Sequence, residues 1–504
     1  MLLWTGLFLA GFLFILAYRV IPTLISPFLT PLRHLPGPPS PSWFWGNIKD
    51  DITGDSGATT LKWISQYGHV FKFKSLLNID QLLTIDPKAL SHILTNYTDY
   101  QKPDIARIFM VRLFGEGILT AEGETHRKQA CQFLGILFSF LLKPVVWLAE
   151  DYGFGYEFNA LSSSGRANPL AKALDEILNS ATEISLLGLI SDYIPAFQSL
   201  PTARNKKINA ARKTMMKIGH ELVAEKKAAI LAADGIKNIS SSANVLEKRD
   251  LLTLLMKGNM AVDIPQNQRL SDEEVMAQIP TFFIAGHETT AGSVGWCLFA
   301  LSLDKRVQHK LREELLAVPT DAPTMDDLMS LPYLDAVLRE TLRLYSPVTS
   351  TTRQATKDDC IPLSKPFKDR YGKVHHSIQI RAGDQIVIPI SSINQAEQIW
   401  GEDAPQFKPE RWDDLPEAVY SIPGVWSNIL TFSGGPRGCI GYRFTLIEFK
   451  VLMFTLIRVF EFELAVPPED IAKKTIMVMR PIVKSEAEKG NQLPMLVRRY
   501  RAEQ

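Results

Sequence analysis

The sequence has little cysteine and no excess of charge of either sign. Four cysteines in 504 residues are too few for a disulfide-stabilised scaffold, and no two of them have the spacing of a CxxC metal-binding pair. Any cysteine chemistry must therefore depend on a single thiol. The 55 Lys and Arg residues nearly balance the 54 Asp and Glu residues, which excludes a globally basic nucleic-acid-binding protein. The cysteines are Cys131, Cys297, Cys360 and Cys439.

Charge is absent from the first 18 residues, and no acidic residue occurs before Asp50. As a helix, residues 1–18 would span about 27 Å, close to the hydrocarbon thickness of a bilayer. The segment has neither a basic region before the apolar run nor a small-residue cleavage site, which favours a retained anchor over a cleaved signal peptide. We therefore predict a single-pass transmembrane anchor over residues 1–19. The basic residues that follow it place the rest of the chain in the cytosol.

A proline-rich hinge is predicted over residues 20–40. Prolines recur throughout it and culminate in the run Leu35-Pro36-Gly37-Pro38-Pro39, which favours a stiff, extended backbone. On the cytosolic side of a membrane the cysteines stay reduced. We also expect the glycosylation sequons at Asn96 and Asn238 to be unused there.

Most of the remaining chain has patterns typical of helix. Residues 203–232 are rich in Ala, Lys and Glu and predict a long amphipathic helix. Ser271 and Glu274 have the spacing of a capping box, which predicts that an apolar helix begins there and continues to about Leu303. The uncharged run 131–142 is too short to cross a bilayer and is expected to be a buried core helix.

Strand signals are few. Val374–Ile380 and Gln385–Pro389 are predicted as two short strands joined by a turn at 382–384. No clean linker divides residues 41–504, so they are expected to form one large domain. The predicted fold class is mainly α with small β-sheets.

One cysteine, Cys439, lies in a loop with four glycines among residues 432–441. Glycines allow unusual backbone dihedral angles and the close approach of a flat ligand, and Gly438 and Gly441 flank the sulfur without bulk. Arg437 and the start of the helical run that follows would both favour a thiolate. These features predict a thiolate metal ligand. The alternative is a tight turn around a buried, inert cysteine.

The pattern Phe432-x-x-Gly435-x-Arg437-x-Cys439-x-Gly441 resembles the haem-binding loop of the cytochrome P450 monooxygenases. The resemblance extends from about Leu35 to near the C-terminus, and the anchor and hinge are similar to those of microsomal, fungal-type members. It implies the P450 fold, haem b as cofactor and the Cys439 thiolate as the axial ligand of the haem iron. An electron-rich sulfur in that position favours O–O bond cleavage.

A second motif is Ala285-Gly286-His287-Glu288-Thr289-Thr290, inside the predicted apolar helix. Glu288 and Thr289 place an acid beside an alcohol that can pass protons, and Gly286 leaves room for a ligand. The hydroxyls also predict a local helix irregularity. The alternative is an ordinary polar patch on a buried helix. The resemblance implies proton delivery by Glu288 and Thr289, with His287 in a supporting or surface position.

Two further motifs concern the residues that would support the cysteine loop. Glu340 and Arg343 share one helix face, and as an isolated pair they would be a solvated salt bridge. The resemblance implies instead a buried structural triad with Arg411, which holds the loop carrying Cys439. It also implies that Arg437 and Arg353 bind the haem propionates through charge-assisted contacts.

The resemblance also implies that His126 helps to bind the cofactor, and it breaks down after this residue. The family pattern places an arginine that contacts a propionate four residues after this position, where this chain has Ala130, and the segment around 130–152 is several tens of residues short. One interpretation is a defective or mis-assembled gene product. The other is that Arg127 or Lys128 substitutes for the missing arginine while the shortened segment packs in its own way.

The resemblance also implies the reaction and its partners. The chain is expected to oxidise a lipophilic small molecule, with terpenoid-type secondary metabolism as the first hypothesis, using O2 and electrons from an NADPH–cytochrome P450 reductase. Cytochrome b5 is a second candidate donor, and the endoplasmic reticulum membrane is the expected location. The pocket is expected to include 103–120, 190–205, 281–289 and 346–352, which are largely apolar. The alternative is a haem-deficient or truncated pseudoenzyme of the same fold.

Overall fold

The computed structural model describes nine stretches of the chain: residues 29–49, 56–141, 168–182, 188, 200–235, 251–260, 265–266, 269–475 and 477–501. The predicted anchor over 1–19, the first part of the hinge and residues 142–152 of the segment predicted to be shortened lie outside these residues. Within the described stretches, no helix has both the length and the apolar character needed to cross a membrane.

Helices make up most of the described structure. In chain order they are α1 Ala58–Tyr67, α2 Pro87–Thr95, α3 Asp104–Phe114, α4 Gly123–Leu141, α5 Pro169–Thr182, α6 Ala203–Gly235, α7 Leu251–Met260, α8 Asp272–Phe282, α9 Thr289–Leu303, α10 Lys305–Leu316, α11 Met325–Met329, α12 Pro332–Leu344, α13 Ile390–Ile393, α14 Glu397–Trp400 and α15 Tyr442–Val459. The long helix predicted over 203–232 is confirmed as α6. The helix α4 contains most of the run predicted as a core helix, and Phe133 within it is fully buried.

The strands are short. They are β1 Val70–Lys74, β2 Asp80–Thr84, β3 Tyr100–Gln101, β4 Thr351–Ala355, β5 Asp359–Lys368, β6 Val374–Ile380, β7 Gln385–Ile388, β8 Phe460–Leu464, β9 Ile471–Thr475, β10 Met479–Val483 and β11 Met495–Arg499. Five of them form a mixed sheet in the order β1-β2-β7-β4-β3, and the other six form the two-stranded sheets β5-β6, β9-β10 and β8-β11. The fold is therefore mainly α with small β-sheets, as predicted.

The predicted strands β6 and β7 exist, but they do not pair with each other. β6 is antiparallel to β5, whereas β7 lies between β2, to which it is parallel, and β4. Ile386 and Ile388 of β7 are almost completely buried in this central position. Burial between two strands removes more apolar surface from water than a two-stranded hairpin would, so tertiary packing overrides the local turn.

The predicted capping box and the helix after it are confirmed. The Ser271 backbone N–H donates to Glu274 Oε2 at 2.8 Å, and the Glu274 N–H donates to Ser271 Oγ at 3.1 Å. The helical path continues through α8 to the end of α9 at Leu303, but it widens to a π-helix over Phe283–Glu288. This is the predicted irregularity, and it lies in the motif around Glu288.

Two main apolar clusters surround this long helical path. One joins the mixed sheet to α2, α9, α10, α12 and α15. The other is formed by α3–α8 and includes side chains next to the Cys439 loop. The path from α8 to α9 takes part in both, and it therefore links the framework that carries Cys439 to the second apolar cluster.

Candidate active site

The loop before α15 fixes the position of Cys439. The chain enters it through a 3-10 turn at Leu430–Phe432, and Ser433 has a φ angle of 60°. The Cys439 N–H donates to the Phe432 carbonyl at 2.8 Å, which closes the loop. The Phe432 ring is buried and makes an edge contact with Trp426, their ring centroids lying 5.7 Å apart.

The loop glycines serve mainly to admit neighbouring protein, which corrects the expectation that they admit a flat ligand. Gly435 has a φ angle of +64°, and a Cβ there would collide with the carbonyl oxygen of Leu94 at the end of α2. At Gly438 a Cβ would lie 2.6 Å from Cγ1 of Val425. A Cβ on Gly441 would meet nothing within 4 Å, so open space for a ligand remains on that side of the loop.

Cys439 is accessible, and its side chain is exposed. The surrounding protein nevertheless raises the pKa of the thiol by desolvation, and the backbone N–H of Gly441 opposes that rise. Because the Cys439 side chain is exposed to solvent, a ligand can reach its sulfur. The expectation that Arg437 lowers the pKa of this thiol is not met, because Arg437 is turned toward other partners.

Those partners belong to a buried ionic cluster near the loop. Arg437 donates to the Ala121 carbonyl at 2.7 Å and forms an ion pair with Glu122. Lys102 Nζ lies 3.3 Å from the same carboxylate. Burial lowers the pKa of Lys102 to about 8, against the raising effect of Glu122, so Lys102 is mostly protonated at neutral pH. Arg353 is 7% exposed, and burial lowers its pKa, although the negative charge of Glu122 opposes that shift.

The charges in this cluster fit a group with two carboxylates. Lys102, Arg353 and Arg437 carry three positive charges, and among the described residues around them Glu122 supplies one negative charge. Buried charge without a counter-charge is costly. The two propionates of haem b would supply the two missing negative charges, so the residues present fit this cofactor.

His126 also faces this cluster, but as a neutral group. Burial lowers its pKa to about 4, and the positive charges of Arg437 and Lys102 lower it as well. A neutral imidazole can donate one hydrogen bond from its N–H, so His126 can assist in holding a propionate without adding charge.

The two substitutes predicted for the missing arginine point elsewhere. Arg127 is exposed and lies 3.5 Å from Glu124, and Lys128 Nζ lies 3.0 Å from Glu274 of α8. The cation that the cluster gains is Lys102, which the sequence did not indicate. Its partner Glu122 was also missed, since 315 positions separate it from Arg437 and no local spacing links them.

On the α8–α9 side, the π-helix presents its polar side chains in different directions. Thr289 Oγ1 donates to the Ala285 carbonyl at 2.5 Å, one turn earlier. A Cβ on Gly286 would meet nothing within 4 Å, so the helix has open space there. The His287 side chain is 75% exposed and lies 3.9 Å from Glu288, in the surface position that the resemblance allowed.

Glu288 is held by an ion pair. Its Oε2 accepts from Arg480 of β10 at 2.5 Å, and both side chains are mostly buried. Asp175 of α5 belongs to the same group of charges: burial raises its pKa, the negative charge of Glu288 raises it further, and Arg480 lowers it. Glu288 is therefore paired with a cation, and a second acid is near enough to feel its charge.

The predicted triad is brought together in the core. Arg343 donates to both Glu340 oxygens, at 2.9 and 2.7 Å, and Arg411 Nε lies 3.4 Å from Glu340 Oε1. The Lys408 N–H and the Trp412 indole N–H also donate to this carboxylate, at 3.0 and 3.2 Å. Glu340 and Arg343 are fully buried, so this is not the solvated pair that spacing alone would suggest.

The triad is connected to the segment that leads into the cysteine loop. Arg343 donates to the Asn394 carbonyl at 2.9 Å, and the Asn394 side chain accepts from the Leu430 N–H at 3.0 Å. Thr431 Oγ1 donates to the Leu342 carbonyl at 2.7 Å. Helix α12 therefore holds residues 430–431 directly, and the 3-10 turn before Cys439 starts from a fixed point.

Comparison with known proteins agrees with this geometry. The cytochrome P450 family model matches residues 153–487. Cytochrome P450 monooxygenases 205 and 128 of Postia placenta are 44% and 43% identical to this chain, and both alignments cover 96% of each chain. The ganoderic acid synthetase of Ganoderma lucidum is 32% identical over 87% of this chain and 89% of its own. The chain belongs to the cytochrome P450 family of monooxygenases, which use haem b with cysteine thiolate ligation.

The alignments also bear on the length of the chain. The alignment with monooxygenase 205 extends over 526 positions, although 96% of this chain's 504 residues take part. About 40 aligned positions of the relative therefore have no counterpart here. The family-model match begins at residue 153, directly after the segment predicted to be shortened. The position of the deficit stays a prediction.

Proposed function

We propose that this protein oxidises a lipophilic small molecule, with terpenoid-type secondary metabolites as the first substrate class. The observation that carries the proposal is the apolar cluster next to Cys439. Ile440 packs against the same cluster as Phe109, Leu119 and Phe282, which come from three other parts of the chain. Partly buried apolar side chains at an accessible cysteine favour a ligand that is largely hydrocarbon.

Each residue of the site has a separate role in this proposal. Cys439 is assigned as the thiolate ligand, and Lys102, Arg353 and Arg437 hold the two propionates, with His126 as a neutral donor. Bound haem supplies the activation of molecular oxygen. Thr289 holds a proton at Oγ1, in hydrogen-bonded contact with the Ala285 carbonyl, and Glu288 passes protons to it from the solvent side.

The electrons come, in this proposal, from an NADPH–cytochrome P450 reductase, with cytochrome b5 as an additional donor. The sequence contains no flavin or nicotinamide motif, and members of the family generally use a separate reductase. Residues 1–19 act as a single-pass anchor in the endoplasmic reticulum membrane, with the catalytic domain over 41–504 facing the cytosol. The uncharged first 18 residues support this arrangement.

The name of one relative bears on the class of substrate. The ganoderic acid synthetase of Ganoderma lucidum takes part, by its name, in making ganoderic acid. Its 32% identity to this chain supports a role of this protein, too, in making a natural product, and the compound is to be found by experiment.

The test is a substrate screen on the haem-loaded full chain in membranes with a fungal NADPH reductase. Terpenoids, steroids, fatty acids and small polar aromatics are compared by product formation and by the change in haem absorption on binding. We expect turnover of at least one lipophilic class and none by Cys439→Ser. Turnover restricted to polar compounds would contradict the proposal, and a full chain that binds no haem would favour the pseudoenzyme alternative.

A further inference from the structure

Two fully buried glutamines hold the short segment Gly115–Leu119, which lies between α3 and α4. Gln278 of α8 accepts from the Ile118 N–H through Oε1 at 2.9 Å, and Gln129 of α4 donates from Nε2 to the Glu116 carbonyl at 3.2 Å. Neither glutamine is exposed to solvent. Because water cannot replace such a bond in the interior, a buried side-chain amide that binds the backbone of a loop fixes that loop in place.

The same segment lies directly on α8 at Gly117. A Cβ at this position would lie 2.5 Å from Thr281 Oγ1 and 2.6 Å from the Ala277 carbonyl oxygen, closer than a carbon atom can approach without moving its neighbours. The segment also closes on itself, since Thr120 Oγ1 donates to the carbonyls of Gly115 and Gly117 at 2.9 and 3.0 Å. It is therefore a compact turn seated on α8, with no room to move closer to the helix.

The side chains of Ile118 and Leu119 are the part of this turn that faces the site. They pack against the apolar cluster that also contacts Ile440, the residue after the cysteine, and we call them the 118–119 wall. Neither residue belongs to a helix or strand, so their position depends on the bonds that hold the turn. The turn also leads into the cofactor cluster, because the Ala121 carbonyl accepts from Arg437 at 2.7 Å.

We propose that Gln278 and Gln129 hold the 118–119 wall in place and thereby select which part of a lipophilic substrate lies at the haem. Both are positioning residues, since they act through the backbone of the wall. An amide suits this task because it has an acceptor and donors but adds no charge to an apolar cluster. Because α8 leads through the π-helix to Thr289, the wall is also fixed relative to that side chain. The inference rests on the proposed oxidation of a lipophilic molecule and adds what orients it.

The first test compares two haem ligands, imidazole and 4-phenylimidazole, by the change in haem absorption of the haem-loaded full chain. Both bind iron through a ring nitrogen, but only 4-phenylimidazole carries an apolar ring that can contact the wall. We expect its preference over imidazole to fall about three- to tenfold in Gln278→Leu, where the Ile118 N–H loses its acceptor. The same fall is expected in Gly117→Ala, which pushes the turn off α8. Gln278→Glu should keep the preference, because a neutral carboxyl retains one acceptor and one donor.

The matched controls are Gln379→Leu, at an exposed position on β6, and Gly295→Ala on α9, where a Cβ would make only an ordinary contact at 4.0 Å. Both should retain the native ratio of dissociation constants. Unchanged ratios in folded Gln278→Leu and Gly117→Ala would overturn this inference and leave the proposed function standing. A haem-loaded native chain that binds the two ligands equally well would contradict the apolar site itself and, with it, the role of the wall.

A second measurement, amide hydrogen exchange of the haem-loaded full chain, tests the position of the turn without any added ligand. The peptide covering residues 115–122 should exchange at least about tenfold faster in Gln278→Leu than in the native chain, since one buried bond then no longer opposes local opening. It should exchange at the native rate in Gln278→Glu, and residues 203–235 of α6 should be unaffected in both. Equal exchange of the 115–122 peptide in the native chain and Gln278→Leu would refute the positioning role. Faster exchange in both peptides would show a general loss of stability and would also count against it.

Discussion

The substitution Glu340→Gln tests whether the buried triad supports the cysteine loop. Glutamine keeps the shape and one acceptor oxygen, but it removes the negative charge opposite Arg343. Arg343 is fully buried, and its other partners are backbone carbonyls, those of Asn394, Ala404 and Gln406. Arg411 keeps Asp403 as a counter-charge, so the penalty falls mainly on Arg343.

The expected magnitude follows from burial. Removing one member of a buried ion pair leaves an unpaired charge and typically costs about 3–5 kcal/mol. Against a total stability of about 5–15 kcal/mol for a folded domain, that loss is large. Because Arg343 is connected through Asn394 to Leu430, the loop should loosen in the same transition, and haem should dissociate at lower denaturant concentration.

The assay is urea denaturation of the haem-loaded protein, followed by tryptophan fluorescence and by haem absorption. The control is Glu313→Gln, because Glu313 is 67% exposed and pairs only loosely with His309; it should change stability by less than about 0.5 kcal/mol. Equal effects of the two substitutions, or a loss below about 1 kcal/mol for Glu340→Gln, would refute the account of the triad.

Three other predictions concern the loop, the cations and pH. Gly435→Ala should cost at least about 2 kcal/mol because it combines a positive φ with a backbone collision, whereas Gly372→Ala, at positive φ in open space, should cost less; equal losses in thermal unfolding would contradict this. Lys102→Met should weaken haem retention about 10–100-fold, as expected for a lost charge-assisted contact, while the exposed Lys88→Met should not; haem transfer to apomyoglobin measures this, and equal rates would exclude Lys102 from the site. Burial raises the pKa of Glu448 on α15 to about 7, so ionising this carboxyl at higher pH costs the folded state more free energy than the unfolded state. The free energy of unfolding of Glu448→Gln, relative to that of the native chain, should therefore increase by up to about 3 kcal/mol from about pH 4.5 to above pH 7. Urea unfolding at both ends of this range measures the difference, and no increase would show that the carboxyl titrates normally.

The sequence predicted best what depends on local spacing. The cysteine loop, the capping box at Ser271 and the irregularity near Thr289 each lie within a few residues, where backbone hydrogen bonding and side-chain chemistry determine the structure. The long helix α6 followed from composition and periodicity in the same way.

The features that the sequence did not predict depend on contacts between distant parts of the chain. The turn at 382–384 suggested a hairpin, but β7 pairs with β2, about 300 residues earlier in the chain. Lys102 and Glu122 give no sign in sequence that they meet Arg437. Arg127 and Lys128, which lie next to the expected position, turn toward acids on the surface and on α8. Proximity in sequence was a poor guide to which cation would join the cluster.

In the proposed function, Cys439 provides the thiolate ligand to haem. The most direct measurement is the absorption spectrum of the reduced, carbon-monoxide-bound full chain beside that of Cys439→Ser, with Cys360→Ser, an exposed cysteine elsewhere, as the matched control. We expect a red-shifted Soret band in the native chain and in Cys360→Ser, and none in Cys439→Ser. A native chain without that band, or a band that survives in Cys439→Ser, would contradict it.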